Sequence, residues 1–279
     1  MALPIVSDTG ILRVKKQSLR RRPPLPVAWE TRRVAAFFPS DLEALARNEI
    51  PFIHIPRYLS RDWCAEIAGR FLAAPAEVHD YGITKVRQVG LAVGPMHRDR
   101  KTYFDRANEI KAALRGIYRG GEDPLLKLQR EISAWTGWKR LEALEKTRPY
   151  VSDMIGQLIP GCGIPIHCDE VEGLSVSRYP ALLSWNVYLS TSDRGGKLIV
   201  YRRGFKKENN ALHRGARGYD PAVVRGAEKA EFQPAQGDFV LFNAANFHEV
   251  RKTRGSSPRV SAHSYIGLDS ARKRLVFWS

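Results

Sequence analysis

The second half of the chain is a series of short apolar or alternating runs separated by glycine and proline, and this pattern restricts the fold most strongly. From Tyr150 onward the runs are VSDMIGQLI, ALLSWNVYLS, KLIVYRR, DFVLFNA, RVSAHSYIG and KRLVFW. Their length and alternation are typical of β-strands, and regularly spaced short strands favour a sandwich or an open barrel. We therefore predict a mainly β core over residues 150–279.

The first half has the periodicity of helices instead. Residues 105–118 and 124–137 are amphipathic, and Ser60 can cap a helix that places Trp63 and Ile67 on one face. We expect residues 34–149 to form a helical support for the β core. The two halves would then make a single domain over residues 34–279.

The chain is strongly basic, with a formal net charge of +16, and part of the excess is local. Residues 1–33 contain eight basic and two acidic residues, so leaving them out lowers the net charge from +16 to +10. Their charge run and their prolines predict a flexible arm. Such a field attracts anions, either small carboxylates and phosphates or a nucleic acid.

Composition also indicates the compartment. The only cysteines are Cys64, Cys162 and Cys168, which are too few for a disulfide framework and form no CxxC pair. No run of about 18 residues lacks charge, which argues against a membrane span. The N-terminus lacks the order of a secretory signal. We expect a cytoplasmic protein without membrane association.

Three polar groups in the β-rich half can carry chemistry. His167 and Asp169 are two residues apart, so a strand would direct both to the same side, and His248 follows a later apolar strand. Two histidines and one carboxylate form the facial triad of non-haem Fe(II) oxygenases. Arg259 and Ser261 share a strand face by the same period, and such a pair can bind a planar carboxylate.

The pair His167 and Asp169 also has a simpler interpretation, a buried histidine bonded to a nearby carboxylate. A second pair with this spacing, His97 and Asp99, lies among charged residues, and we predict that it is at the surface. The later His248 and Arg259, at matching distances, favour the metal site for the first pair.

Residues 51–73 and 150–267 resemble the Fe(II)/2-oxoglutarate-dependent oxygenases, in particular the prolyl-4-hydroxylase-like and phytanoyl-hydroxylase-like branches. The resemblance rests on a series of motifs with family spacing: Gly161 six residues before His167, Tyr188-Leu189 at the end of a strand, the hairpin Asp193-Arg194-Gly195-Gly196-Lys197, Gly237-Asp238 before the strand that leads to His248, and Arg259.

The resemblance implies a double-stranded β-helix, or jelly roll, of the cupin type. Iron would be bound by His167, Asp169 and His248. The cosubstrate 2-oxoglutarate would chelate the metal, with its far carboxylate on Arg259. The family pattern adds hydroxyl and amide partners of the cosubstrate on neighbouring strands: Ser261, Tyr188 and Asn186. Core packing is the alternative role for Tyr188 and Asn186.

Two features distinguish this chain within the resemblance. Leu158 stands where the family often has a tyrosine, and Ile164 stands near a second such position, so one cosubstrate contact is either missing or supplied from elsewhere, with Gln157 as a candidate. In the halogenases of the family a small residue replaces the carboxylate ligand and chloride fills the vacancy. Because Asp169 is present, the resemblance implies hydroxylation or desaturation by Fe(II), 2-oxoglutarate and O₂.

The substrate is less constrained. Residues 202–231 are basic, glycine-rich and without strand alternation, and we predict a lid beside the mouth of the barrel. Arg178, Arg202 and Arg203 would then bind a carboxylate- or phosphate-bearing small molecule, such as an amino acid derivative, a nucleotide or a biosynthetic intermediate. A nucleic-acid- or protein-modifying oxygenase and a non-catalytic jelly-roll binding module remain as alternatives, and the oligomeric state is left open.

Overall fold

Two mainly antiparallel β-sheets face each other and helices cover the outside of the larger sheet. The computed structural model describes residues 28–80, 83–92, 99–169 and 171–279. The apolar core lies between the sheets and beneath the helices. This architecture confirms the mainly β prediction, including the jelly-roll core with helices packed on it.

The described part of the first half contains five α-helices. They are α1 (Pro39–Ala46), α2 (Arg61–Ala73), α3 (Arg100–Asp105), α4 (Ala107–Tyr118) and α5 (Pro124–Thr136). Three of them, α2, α4 and α5, lie close to the predicted positions. As predicted, Ser60 caps α2, because its hydroxyl accepts a hydrogen bond from the backbone N–H of Trp63 at 3.3 Å. Helix α2 packs on the strand Ala181–Ser190 of the larger sheet.

The strands occur mainly in the second half, with short ones in the helical region. They are β1 (Arg32–Arg33), β2 (Phe52–Ile55), β3 (Glu77–Asp80), β4 (Lys85–Val89), β5 (Lys139–Glu142), β6 (Leu144–Glu145), β7 (Arg148–Pro149), β8 (Met154–Leu158), β9 (Ile164–His167), β10 (Ala181–Ser190), β11 (Arg194–Gly195), β12 (Leu198–Gly204), β13 (Lys229–Phe232), β14 (Phe239–Asn243), β15 (Asn246–Val250), β16 (Thr253–Arg254), β17 (Arg259–Asp269) and β18 (Arg274–Trp278).

The larger sheet is organised around the long strand β17. Its strand order is β1-β2-β14-β10-β17-β8-β4-β3, and β18 and β5 extend it beside the second half of β17. The register pairs Tyr188 with Ser261 and Asn186 with His263. Side chains on one face of β10 and β17 therefore form rows that point into the space between the sheets.

The smaller sheet has the order β13-β12-β15-β9. Its register sets His167 directly opposite His248. Alternation gives each strand an inner and an outer face. On β12, Leu198 and Val200 join the core between the sheets, whereas Ile199 and Tyr201 lie on the outer face.

The folded body begins earlier than the boundary predicted after residue 33. Residues 1–27 lie outside the described residues. Within the part that is described, Trp29 is buried, and Arg32 lies 3.3 Å from the buried carboxylate of Asp41. Strand β1 also pairs in parallel with β2, so residues 28–33 belong to the folded body.

The basic insert is also shorter than predicted. Strand β12 runs to Gly204 and β13 begins at Lys229, so Arg202 and Arg203 are strand residues. Between them the chain forms three short 3₁₀ helices, Lys207–Leu212, Gly215–Arg217 and Pro221–Val224. Across the described part of the chain, none of the helices has both the length and the apolar character needed to span a membrane.

Candidate metal centre and cosubstrate pocket

His167, Asp169 and His248 meet at one point, as the sequence predicts. His167 is the last residue of β9, and His248 lies opposite on β15. The backbone N–H of Asp169 donates to the carbonyl of Ala244 at 3.0 Å, which brings the carboxylate back beside the two rings. One potential ligand atom from each of the three lies within 4.8 Å of the others. This spacing and chemistry suit a transition-metal ion.

Both imidazoles are held in the form that a metal requires. The Nδ1 atom of His167 lies 2.8 Å from the carbonyl oxygen of Pro165, and that of His248 lies 2.8 Å from the carbonyl oxygen of Asn246. A carbonyl can only accept, so each Nδ1 carries the proton and each Nε2 presents a lone pair.

Burial favours the uncharged state of His248 and of Asp169. It lowers the pKa of His248 well below its usual value, and the neighbouring His167 acts in the same direction. Burial also raises the pKa of Asp169, and the neighbouring His167 and a hydrogen bond from Tyr265 oppose this effect. A bound cation would favour the Asp169 carboxylate and the two neutral imidazoles.

Arg259 lies on the opposite wall and lacks a carboxylate partner. It is 6% exposed, and its Nε donates to the carbonyl of Gly196 at 3.3 Å. Within the described ranges, no carboxylate oxygen lies within 4.0 Å of its guanidinium. A buried guanidinium normally has an anionic partner, so this wall fits a carboxylate ligand.

Tyr188 and Ser261 flank this guanidinium. The guanidinium carbon lies 5.1 Å from the centre of the Tyr188 ring, and the Tyr188 hydroxyl is buried without a hydrogen-bond partner. Burial raises the pKa of Tyr188, and the positive charge of Arg259 opposes that rise. Ser261 is buried beside them and its hydroxyl lies 3.4 Å from Nδ1 of His263. A phenol without an acceptor and a guanidinium without a carboxylate partner, both among the described residues, are suitable donors for one carboxylate.

A cavity of about 330 Å³ connects the histidine cluster with Arg259. Both sheets line it, and Asn186 and Tyr188 face it from β10, whereas Ser261 is not among its lining residues. Leu158 and Ile164 also line it, as the aliphatic departures from the family pattern. A volume of this size fits small molecules.

Sequence reasoning missed two polar residues of this cavity, His263 and Tyr265. The pKa of His263 is lowered to about 4, mainly by burial, and its Nδ1 lies 3.1 Å from the carbonyl oxygen of Ser261. The period of two that joins Arg259 to Ser261 continues through both residues, so the signal was present in the strand RVSAHSYIG. Ser184 continues the period of Asn186 and Tyr188 along β10, and Thr84 and Gln88 are further polar lining residues.

The three arginines proposed for the substrate do not line the cavity. Arg202 pairs with Glu228 at 3.0 Å, and Arg203 donates to the carbonyl of Val223 at 2.9 Å. Arg178 lies in a short 3₁₀ helix and contacts the hydroxyl of Tyr179 at 3.3 Å. Local pairing accounts for each, so the charge pattern alone placed them wrongly.

The insert does not cover the cavity either. None of the residues between β12 and β13 lines it, and several pack instead on the outer face of the smaller sheet. The lid predicted from the sequence is therefore absent from the described residues around the cavity.

A basic cleft of about 490 Å³ lies next to the cavity and shares Ile164 and Val250 with it. Its positive side chains come from the paired strands β11 and β16 and from the residues that follow β15: Arg194, Arg251, Lys252 and Arg254.

The second pair of a histidine and an aspartate, His97 and Asp99, is described only in part. His97 lies outside the described residues, and Asp99 caps α3 by accepting from the backbone N–H of Thr102 at 3.1 Å.

Comparison with known proteins identifies one family. The sequence model of the carrier-protein-independent halogenase WelO5 matches residues 31–279. An L-gamma-glutamyl-L-propargylglycine hydroxylase from Streptantibioticus cattleyicolor is 29% identical over 259 residues, which cover 88% of this chain and 94% of that protein. The leucinostatins biosynthesis cluster protein S from Purpureocillium lilacinum is 37% identical over 112 residues, only 46% of its length.

Solved structures agree on the fold. An N-substituted L-amino acid dioxygenase from Burkholderia ambifaria superposes with a TM-score of 0.56 at 16% identity, covering 85% of this chain and 91% of that one. A structure of an N-substituted L-amino acid dioxygenase from Burkholderia ambifaria in complex with alpha-KG has a TM-score of 0.50 at 15% identity. The superposition covers 85% of this chain and 90% of that one. At this identity the likeness concerns the fold alone.

Proposed function

Because the chain belongs to the family of the carrier-protein-independent halogenase WelO5, within the iron- and 2-oxoglutarate-dependent oxygenases, we propose that it hydroxylates or desaturates an unactivated C–H bond of a small amino acid derivative. The observation that carries the proposal is the cluster of His167, Asp169 and His248, which faces the buried Arg259 across one cavity. Family membership makes the chain a non-haem iron dioxygenase that uses Fe(II), 2-oxoglutarate and O₂.

In this proposal His167, Asp169 and His248 bind Fe(II). The bound iron, with 2-oxoglutarate and O₂, supplies the oxidising power, and succinate and CO₂ are the coproducts of hydroxylation. The protein's own contribution is to fix the ligands, since the carbonyls of Pro165 and Asn246 orient both rings. The walls of the cavity keep bulk water away from the reacting centre.

Arg259 and Tyr188 bind the far carboxylate of 2-oxoglutarate in the same proposal. Among the described residues, the guanidinium has no carboxylate partner within 4.0 Å and the buried phenol has no acceptor for its proton. Asn186, which faces the cavity two residues before Tyr188, binds the cosubstrate nearer the metal, and Ser261 supports the arginine from its own strand. The cosubstrate thus lies along the larger sheet.

The presence of Asp169 distinguishes hydroxylation from chlorination in a family named for a halogenase. Its carboxylate lies 3.6 Å from Nε2 of His248, within the ligand cluster. A halide would need the position that this carboxylate takes. We therefore assign hydroxylation or desaturation, in line with the hydroxylase that is 29% identical to this chain.

The proposed substrate is a small amino acid derivative with an anionic group. The hydroxylase relative is named for a dipeptide, L-gamma-glutamyl-L-propargylglycine, and the similar solved structure is named for N-substituted L-amino acids. Anionic character is supported by the basic cleft beside the cavity and by the net charge of +16. A nucleic acid substrate would predict a steep loss of retention with salt.

The experiment is an anaerobic titration of the protein with Fe(II) and 2-oxoglutarate, followed by succinate release with γ-glutamyl dipeptides and N-acyl amino acids. We expect a weak visible charge-transfer band and succinate release that an amino acid derivative stimulates. Absence of the band would contradict the metal assignment and favour a non-catalytic binding module. A band without stimulation by any of these compounds would contradict the substrate class alone.

A further inference from the structure

Strand β9, which carries His167, is a short strand at the edge of its sheet. It has only four residues, and β15 is its single strand partner in the smaller sheet. An edge strand has one row of backbone groups without a sheet partner, and short edges are the least firmly held parts of a sheet. Something else must fix His167 if it is to bind a metal with defined geometry.

The insert supplies a backbone contact at that edge. The N–H of Tyr219 donates to the carbonyl of Ile166 at 2.8 Å, one residue before His167. Gly218 makes this approach possible, since a Cβ at that position would lie 2.4 Å from the Ile166 oxygen and 2.9 Å from Cβ of Pro165. Its φ of 70° also favours glycine.

The Tyr219 side chain reaches the other histidine strand. Its ring lies 5.0 Å from the ring of Phe247, edge to face, and Phe247 precedes His248. Tyr219, Ile166 and Phe247 belong to one apolar cluster on the outer face of the smaller sheet. By strand alternation, each of the two contacted residues lies directly behind a histidine that faces the cavity.

The segment around Tyr219 is itself held firmly. The N–H of Arg214 donates to the carbonyl of Gly218 at 2.7 Å, and the N–H of Asp220 donates to the carbonyl of Leu212 at 2.9 Å. The Asp220 side chain then caps the next 3₁₀ helix by accepting from the N–H of Ala222 at 2.9 Å. A segment tied at both ends can resist movement of the strand it touches.

We propose that Gly218 and Tyr219 are positioning residues for the metal site, which hold His167 and His248 from the outer face of the smaller sheet. The inference rests on the proposed function. It gives the basic insert a role different from that of a lid, since the insert acts through the strands and does not touch the substrate. Groups that orient metal ligands typically change metal affinity by about 10- to 100-fold when removed.

The test uses Co(II) as the metal probe, because its visible spectrum reports ligand geometry without turnover. We expect Tyr219→Ala to raise the Kd for Co(II) about 10- to 100-fold and to alter the spectrum, with Tyr219→Phe close to the wild type because the ring and the backbone N–H remain. Gly218→Ala should resemble Tyr219→Ala, since its methyl group would push the segment off β9.

Val223→Ala is the matched control. Val223 is 1% exposed and belongs to the same cluster, but its described backbone hydrogen bonds are to Asp220 and Arg203 and not to a histidine strand. It should lower the Tm comparably and leave the Kd for Co(II) within about twofold. Equal weakening by Val223→Ala would reduce the insert to a purely structural role.

The remaining outcomes separate this inference from the proposed function. If the wild type binds Co(II) and Tyr219→Ala binds it equally well with the same spectrum, the positioning role is wrong and the metal site stands. If the wild type binds neither Co(II) nor Fe(II), the proposed function is wrong. Should Tyr219→Ala not fold, Tyr219→Leu, which keeps apolar volume without the ring, decides by the same readout.

Discussion

The two sheets present opposite hydrogen-bonding chemistry to the cavity between them. On the smaller sheet, the backbone carbonyls of Pro165 and Asn246 fix Nδ1–H of His167 and His248, so each Nε2 offers a lone pair. On the larger sheet, Arg259 has no carboxylate partner within 4.0 Å and the Tyr188 hydroxyl has no acceptor among the described residues, so both offer donors. Lone pairs converge on a cation and donors converge on an anion, so the pair of walls suits a metal bound to an anionic chelator.

The largest expected effect comes from removing one of the two histidine ligands on the smaller sheet. His167→Ala or His248→Ala should abolish both metal binding and succinate formation, because two ligands hold a divalent ion far more weakly than three. Circular dichroism and the unfolding midpoint should show a retained fold. Turnover that survives in either variant would refute the assignment of these ligands.

Removing the guanidinium of Arg259 should weaken binding of the cosubstrate and leave the metal bound. Arg259→Ala should raise the 2-oxoglutarate requirement by about 30- to 1,000-fold, since losing a buried charge-assisted pair costs roughly 2–4 kcal/mol. The Kd for Fe(II) should change little. Arg202→Ala is the control, because that exposed arginine pairs with Glu228 outside the cavity. An unchanged requirement in Arg259→Ala would place the carboxylate anchor elsewhere.

His263 lines the same cavity as Arg259, and its pKa reports how unfavourable a second positive charge is there. Burial and, secondarily, Arg259 lower its pKa to about 4, so it stays neutral in the folded protein. As the pH falls from about 6.5 toward 4, the unfolded chain takes up the proton first and stability decreases. The full shift corresponds to roughly 3 kcal/mol, which contact with cavity water reduces.

The corresponding variant is His263→Gln in metal-free protein. Between pH 7.5 and 4.5 it should lose about 2–3 kcal/mol less unfolding free energy than the wild type, as measured by denaturant titration at both pH values. Above pH 7 the two proteins should show the same pH dependence. Parallel curves over the whole range would mean that His263 is not held neutral.

The smallest expected effect concerns the unpaired phenol. Tyr188→Phe removes only the hydroxyl, and a net hydrogen bond to a charged group contributes about 1.5–3 kcal/mol at most. We expect the Kd for 2-oxoglutarate to rise about 10- to 150-fold, less than in Arg259→Ala. Equal affinity in Tyr188→Phe and the wild type would leave Tyr188 as a core residue, the alternative that its burial also permits.

The sequence predicted the inner face of the barrel well because period-two alternation fixes which side chains share a face. The rule joins Arg259 to Ser261 and continues to His263 and Tyr265 along β17. It also predicted that His167 and Asp169 lie together, although β9 ends at His167 and the hydrogen bond from the Asp169 N–H to the Ala244 carbonyl holds the carboxylate there. Spacing alone could not show that His248 would pair with His167, since that contact depends on sheet register.

The outer face was harder to predict. The insert has no periodicity, and nothing local indicates which side of a sheet a loop will cover. One available signal was the run LIVY in β12, where Ile199 and Tyr201 are as apolar as Leu198 and Val200. A strand that is apolar on both faces must be covered on both, and the insert is the segment that covers the outside.

A structure of the anaerobic complex with Fe(II) and 2-oxoglutarate tests the opposition of the two walls most directly. We predict iron bound by Nε2 of His167, Nε2 of His248 and the carboxylate of Asp169, with the far carboxylate of the cosubstrate on the guanidinium of Arg259. Iron bound at any other residues, or a cosubstrate carboxylate remote from Arg259, would contradict the account.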